Sequence, residues 1–202
     1  MKGSNSKNDG LAKKPTLGHL SSFAGTRKKV RLERSFPTGF FDNGFVLAVG
    51  NEWLLLQQFH DFYPEGFAAL RIRDITSVRS GKYERLWERM LAKEGLIDEI
   101  NLPIELPLND VEHLLKSLQA RGKNIIIECE RSGENKDFYI GKILDVNKSS
   151  ARFANFDALG NWDERPHKIL YDDITRIEFD TPYVQTFSKY LQGPCPNYDN
   201  RR

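Results

Sequence analysis

Apolar and polar positions alternate with a period of two through much of this chain, the signature of half-buried strands. In residues 141–179 the alternation sets Ile143 and Asp145 opposite Leu144 and Val146, then runs through Lys168, Ile169 and Leu170 into an Asp-Ile-Thr turn. The same pattern recurs near residues 44–79. Setting Gly44 on Gly141 puts Val46 on Ile143, Val49 on Val146, Leu56 on Phe153 and Phe59 on Phe156, each 97 residues apart. Asp74 then falls on Asp173 at a shift of 99, and Tyr83 on Tyr183 at 100. Such small changes of shift belong in turns. The chain is therefore a tandem duplication of a small domain, since solenoid units repeat every ~20 to 50 residues.

Five strands are predicted in each copy. In the first they begin at Lys28, turn at 37–39 and at 42–44, and continue through 44–50, 52–60 and 67–72 to the segment after Asp74. In the second they cover 123–131, 138–146, 151–156, 167–171 and 175–179, with a turn at 132–135. Gly44 and Gly141 lie inside strand pattern, where a residue without Cβ marks a bulge or bend and so a curled sheet. Asp74 and Asp173 are read as turn residues whose carboxylates accept a backbone N–H two residues on. They recur without a second acid or histidine in fixed relation, which argues against a catalytic pair.

The period changes to 3.6 in three places. Tyr83, Leu86, Trp87, Met90 and Leu91 form one face of a helix over 81–96, with Gly95 as its stop. Val111, Leu114, Leu115 and Leu118 form another, with Asn109 as N-cap, Glu112 at N3 and Gly122 at its end. Thr181-Pro182 opens a third, with Val184, Phe187 and Leu191 on its apolar face and Gly193 after it. The domains expected are an arm at 1–27, a barrel plus helix at 28–96, a linker at 97–107, a second barrel with leading and trailing helices at 108–193, and a tail at 194–202.

Composition adds little: 202 residues, 39% hydrophobic and 29% charged, is an ordinary globular balance. The charge is uneven. Residues 1–34 hold nine Lys or Arg against Asp9 and Glu33, whereas the remainder carries 21 basic and 26 acidic residues. The first stretch, rich in Ser, Gly and Asn, is expected to be loosely packed, and a basic arm suits phosphates. Cys129 is read as core and Cys195 as incidental, and His19, His60, His113 and His167 lack metal-ligand spacing, so no metal or cofactor is expected. No nucleophile elbow, phosphate-binding glycine loop or paired acids are present, which argues against an enzyme. The N-terminus has no apolar signal core and no run is long enough to span a bilayer, so the expected location is cytoplasmic, with no membrane partner.

Taken together, the second unit resembles an Sm-like (LSm) domain. Residues 107–122 are similar to that family's N-terminal helix, 123–131 to its first strand, Tyr139-Ile140-Gly141-Lys142-Ile143 to its bent second strand, and 168–179 to its fourth strand, turn and fifth strand. The likeness extends less closely over 28–80. It implies a mainly β fold with accessory α: two tandem five-stranded, strongly bent antiparallel barrels of Sm-like or SH3-like type, each followed by an amphipathic helix. The family's RNA-binding residues are not carried over. The second copy offers Asn147, Ser150 and Ala151 in one loop, and Leu170 and Tyr171 where the family has Arg-Gly; the first offers Gly50, Trp53 and Leu54, then Arg71 and Ile72. Family members form rings by pairing edge strands, but a helix after each barrel suggests a self-contained pseudo-dimer, monomeric or a small homo-oligomer.

The resulting expectation is a non-enzymatic binding module for protein interaction or assembly, with Phe62, Tyr63 and Trp162 as candidate partner contacts. The alternative is an RNA-binding protein using Lys13, Lys14, Arg27, Lys28, Lys29, Arg31 and Arg71.

Overall fold

The computed structural model describes residues 14–36, 39–100, 105–131 and 137–198; Lys13, residues 37–38 of the turn expected at 37–39, and the turn expected at 132–135 lie outside the described residues. The first copy supplies β1 (Lys29–Arg34), β2 (Phe41–Val49), β3 (Trp53–His60), β4 (Tyr63–Arg71) and β5 (Ile75–Arg79), followed by helix α2 (Lys82–Lys93). Helix α3 (Val111–Ala120) precedes β6 (Ile125–Cys129), β7 (Asp137–Val146), β8 (Ser150–Asn155), β9 (His167–Leu170) and β10 (Arg176–Phe179), and α4 (Pro182–Lys189) follows. A short helix α1 (Leu17–Ser21) comes before them all.

The strands form one antiparallel sheet in the order β5-β1-β2-β3-β4-β10-β6-β7-β8-β9. Each copy has the same internal order, and β4 of the first pairs with β10 of the second. The expected pair of separate barrels is thus one continuous, unclosed sheet, whose outermost strands are β5 and β9. Local sequence explains the middle: the Trp53–Leu56 run is buried at every position, as a strand covered on both faces requires.

The duplication holds at the level of hydrogen-bond register. Pairing slips between Val46 and Ala48 in the first copy and between Ile143 and Asp145 in the second, the same bulge 97 residues apart. Gly44 pairs with Gln58 as Gly141 pairs with Asn155. At both glycines the neighbouring strand leaves no space for a side chain: an added Cβ would stand 2.0 Å from the Gln57 carbonyl oxygen or 1.9 Å from that of Ala154.

One apolar core runs through both copies, joining Trp53, Leu55 and Phe59 to Phe153, Ile177 and Phe179 beneath α3. The linker takes part in it. Ile100 and Leu108 are buried, and the Leu108 carbonyl accepts from Trp53 N at 3.0 Å, so this segment docks on β3.

Five expectations need correction. Residues 42–44, expected as a turn, lie within β2, where Asp42 pairs with Leu32 and Gly44 with Val30. The N-cap of α3 is Asp110, which accepts from His113 N at 2.9 Å; Asn109 instead accepts from Asn51 N, because its carboxamide faces the β2–β3 turn. The arm is folded from Lys14 on, since Leu20 of α1 is fully buried against Val30, Leu32 and Val46. The Asp side chains do not hold their turns: the Asp74 carboxylate is taken by Arg131, while Asp173 contributes its backbone N–H to the Leu170 carbonyl at 3.1 Å. Finally, α2 buries less than its pattern implies, with Leu91 covered but Tyr83, Leu86 and Met90 exposed.

Candidate functional site

The join between the copies sets the four residues of β10 against the far end of the nine-residue β4. Arg176 pairs with Leu70, Ile177 with Ala69, Glu178 with Ala68 and Phe179 with Phe67, and the same four residues of β10 pair on their other side with β6. Ala68 and Ala69 are small enough for Ile177 to reach the core, and the Phe67 and Phe179 rings stack at 5.4 Å.

Period two places Glu128 of β6 and Glu130, just past its end, on one side, and Arg176 and Glu178 on one face of β10. The join turns these faces inward, together with Arg34 and Asp42 of the first copy. Arg34 bonds Asp42 at 2.7 Å and Glu130 at 2.5 and 3.2 Å, and Thr175 donates to Glu130 at 2.6 Å. Arg176 reaches Glu178 at 2.6 Å, Glu128 at 3.1 Å and Asp42 at 3.4 Å. Burial alone would weaken the Arg34 charge, but Asp42 and Glu130 hold its pKa above the ordinary guanidinium range. Two guanidinium groups thus serve four carboxylates. The excess negative charge falls on Glu128: burial first, then Glu178 and Glu130, push its pKa up to about 7 against the pull of Arg176. A polar cavity of about 360 Å³ opens onto this cluster.

A second set of bonds crosses the join at the end of β4. Arg71 donates to the Tyr171 carbonyl at 2.5 Å and the Ile174 carbonyl at 3.1 Å, and Arg71 N donates to the Thr175 carbonyl at 3.2 Å. The arrangement is thus backbone pairing between two strand edges, flanked by buried charge that passes from one copy to the other.

The outer edges carry the equivalents of the joined strands, and among the described residues no strand pairs with their free side. Thr76 is exposed on β5 where its counterpart Thr175 is fully buried, and Val78 is half-buried where Ile177 is fully buried. On β9, Leu170 is 47% exposed while its counterpart Arg71 is 6% exposed.

The residues singled out from sequence are dispersed. Phe62 stacks on Trp87 at 4.7 Å, Trp162 packs edge-on against Phe156 at 5.4 Å in a different cluster, and Tyr63 alone of the three is largely exposed. Of the basic set, Lys14 bonds the Arg73 carbonyl at 2.6 Å, Arg27 bonds Asp98 at 3.3 Å, and Lys28 is exposed. Lys29 is buried beside the Trp87 ring, Arg31 lies over Phe41, and Arg71 is committed to the join, with Trp53 fully buried beside it. Arg34, Glu128, Glu130 and Arg176 carry no distinctive mark in the sequence. Their signal is a row of charges on alternate strand positions, which in most strands is simply the solvated face.

Among the described residues no group of His, Cys, Asp or Glu is placed to hold a metal ion, and no helix is long and apolar enough to cross a membrane. No family model, curated protein or solved structure matches this chain.

Proposed function

We propose that this chain is a non-enzymatic assembly module: two Sm-like five-stranded units joined in one polypeptide, which associates with further copies by pairing β9 of one chain with β5 of the next. The observation that carries the reading is the β4–β10 pairing. It is a strand-edge interface between two copies of one fold, already formed within the chain, and β9 and β5 are the counterparts of its two halves, left over at the ends of the sheet. Repeating that operation is head-to-tail, giving a ring if the rotation closes and a filament if it does not.

The repeated contact is weaker than the internal one. In the same register Ser77 faces Ile169, Val78 faces Lys168 and Arg79 faces His167, so Lys168 stands where Ala69 stands at the join. An edge lysine is a common brake on strand pairing. Association should therefore depend on concentration.

Native mass spectrometry across a concentration series tests this. Masses at multiples of 23.3 kDa that vanish in Thr76→Lys/Val78→Lys, while circular dichroism shows the variant folded, support the proposal. A chain that stays monomeric at the highest soluble concentration, or oligomers indifferent to the β5 substitutions, would overturn it.

A further inference from the structure

The chain after α4 turns back on the second copy. Trp162 Nε1 donates to the Gly193 carbonyl at 3.1 Å, and Gln192 N donates to the Gly160 carbonyl at 2.9 Å. Between this strap, α4 and the start of β6 lies a cavity of about 640 Å³, within the ~300–1,000 Å³ typical of small-molecule sites. It lies just past one end of the strand join, with Asn124 next to Ile125 and Asp180 next to Phe179, and no residue of the edge strands β5 and β9 lines it.

Its walls divide by chemistry. Val184, Leu191 and Trp162 make one side apolar, and Lys123, Lys142 and Lys189 supply cations. Lys123 is paired, reaching Asp180 at 2.8 Å. The Asp180 carboxyl also takes Arg121; burial would raise its pKa, but Lys123 and Arg121 hold it below the usual carboxylate range. Asp180 is therefore engaged away from the other two lysines. Lys142, half-buried on β7, and Lys189 on α4 have no hydrogen-bond or ion-pair partner among the described residues.

The floor carries an independent signal. Asn124 is 7% exposed, and its Nδ2 donates to Ser188 Oγ at 2.8 Å. Ser188 uses its single hydrogen on the Val184 carbonyl at 2.6 Å, so it can only accept from Asn124, which fixes the amide with its oxygen unbonded. Asn124 Oδ1 is buried without a donor. An acceptor left unpaired in a buried position is unfavourable unless a ligand supplies the hydrogen.

We infer that this cavity binds a small organic anion, a phosphate or carboxylate that also presents an N–H or O–H donor. The anionic group lies between Lys142 and Lys189, the donor meets Asn124 Oδ1, and the apolar body rests on Val184, Leu191 and Trp162. Cys195 lines the same cavity, so occupancy shields its thiol.

The test is a panel of nucleoside monophosphates, sugar phosphates and amino- or hydroxy-carboxylates, titrated calorimetrically into the full chain with inorganic phosphate as the arm lacking the organic body. At least one organic member should bind, move the Trp162 indole N–H resonance and slow alkylation of Cys195. Lys142→Gln/Lys189→Gln changes two solvent-reachable side chains and should weaken that binding about tenfold or more, the scale of a lost charge-assisted hydrogen bond. No binding by any member, binding unchanged in the double variant, or inorganic phosphate binding as tightly as the organic anions would each overturn the inference.

Discussion

Arg34 and Glu130, 96 residues apart, meet across the join in a two-pronged ion pair at 2.5 and 3.2 Å, with side chains only 5% and 8% exposed. Removing one partner of a buried pair leaves an uncompensated charge, whereas replacing both with apolar groups is far milder. Arg34→Ala is expected to cost about 3–5 kcal/mol of stability in urea denaturation. Arg34→Met/Glu130→Leu should recover most of that loss, with Asp42 still held by Arg176. A double variant as unstable as Arg34→Ala would show that the pair itself, and not the stranded carboxylate, sets the stability.

Glu128 gives stability a pH dependence of unusual sign. Its folded pKa is raised from 4.5 to about 7, chiefly by burial and then by Glu178 and Glu130, with Arg176 and Arg34 opposing. The folded chain therefore holds a proton that the unfolded chain has already lost. Stability from this group is fully present below about pH 4.5, falls as pH rises, and levels off above about pH 7, a total of roughly 3 kcal/mol at about 1.4 kcal/mol per unit. Chemical denaturation at a series of pH values should show this decline in the native chain and its absence in Glu128→Gln.

The elements were legible because their patterns are local. Period two, the glycines within the strands and the 97-residue register are all present in the sequence, and the structure repeats the pairing of β2 with β3 in that of β7 with β8. The join was not legible. Whether β10 pairs with β4 or stops at β6 is decided by side chains some hundred residues apart, and the inward charges on β6 and β10 look like any solvated face until another strand covers them. Leu20 is hidden for a related reason: Leu17, Leu20, Phe23 and Ala24 keep a helical spacing, but for barely two turns among Ser, Gly and Lys, too short a stretch to stand out, yet Leu20 fills a place in the first copy's core. Trp162 and Phe62 look like exposed loop aromatics by sequence, and each proves to be held by a ring from an adjacent element.

Gly44 and Gly141, each two residues before a bulge, should be among the least substitutable residues in the chain. Gly141 has φ of +151° and, like Gly44, faces a backbone oxygen far closer than a methyl group can approach. A backbone carbonyl in mid-sheet cannot swing aside as a flexible side chain can. Gly141→Ala is expected to cost about 3 kcal/mol or more, the upper end for an overpacked interior, and Gly44→Ala a comparable amount. Gly18→Ala and Gly95→Ala serve as references: an added Cβ meets nothing at either, though Gly95 has φ of +74° and carries its own backbone strain. A thermal midpoint for Gly141→Ala no lower than that of Gly18→Ala would refute the close-approach argument.

Arg71 separates the assembly reading from the RNA reading. If it stacked a base with Trp53, Arg71→Gln would lose RNA affinity at little cost to folding. In the fold its guanidinium, 5.2 Å from the centre of the Trp53 ring, instead donates to two carbonyls of the other repeat, and the ring itself is fully buried. Arg71→Gln leaves those carbonyls without a charged donor. The expected result is a loss of about 2–3 kcal/mol in stability, the worth of hydrogen bonds to a charged group, while fluorescence anisotropy with single-stranded RNA is the same for both proteins. Any affinity that does appear should reside in the basic stretch before residue 35, and should fall steeply with salt because it comes from phosphate neutralisation. RNA binding that resists salt and disappears in Arg71→Gln would instead put a base-stacking site at the join.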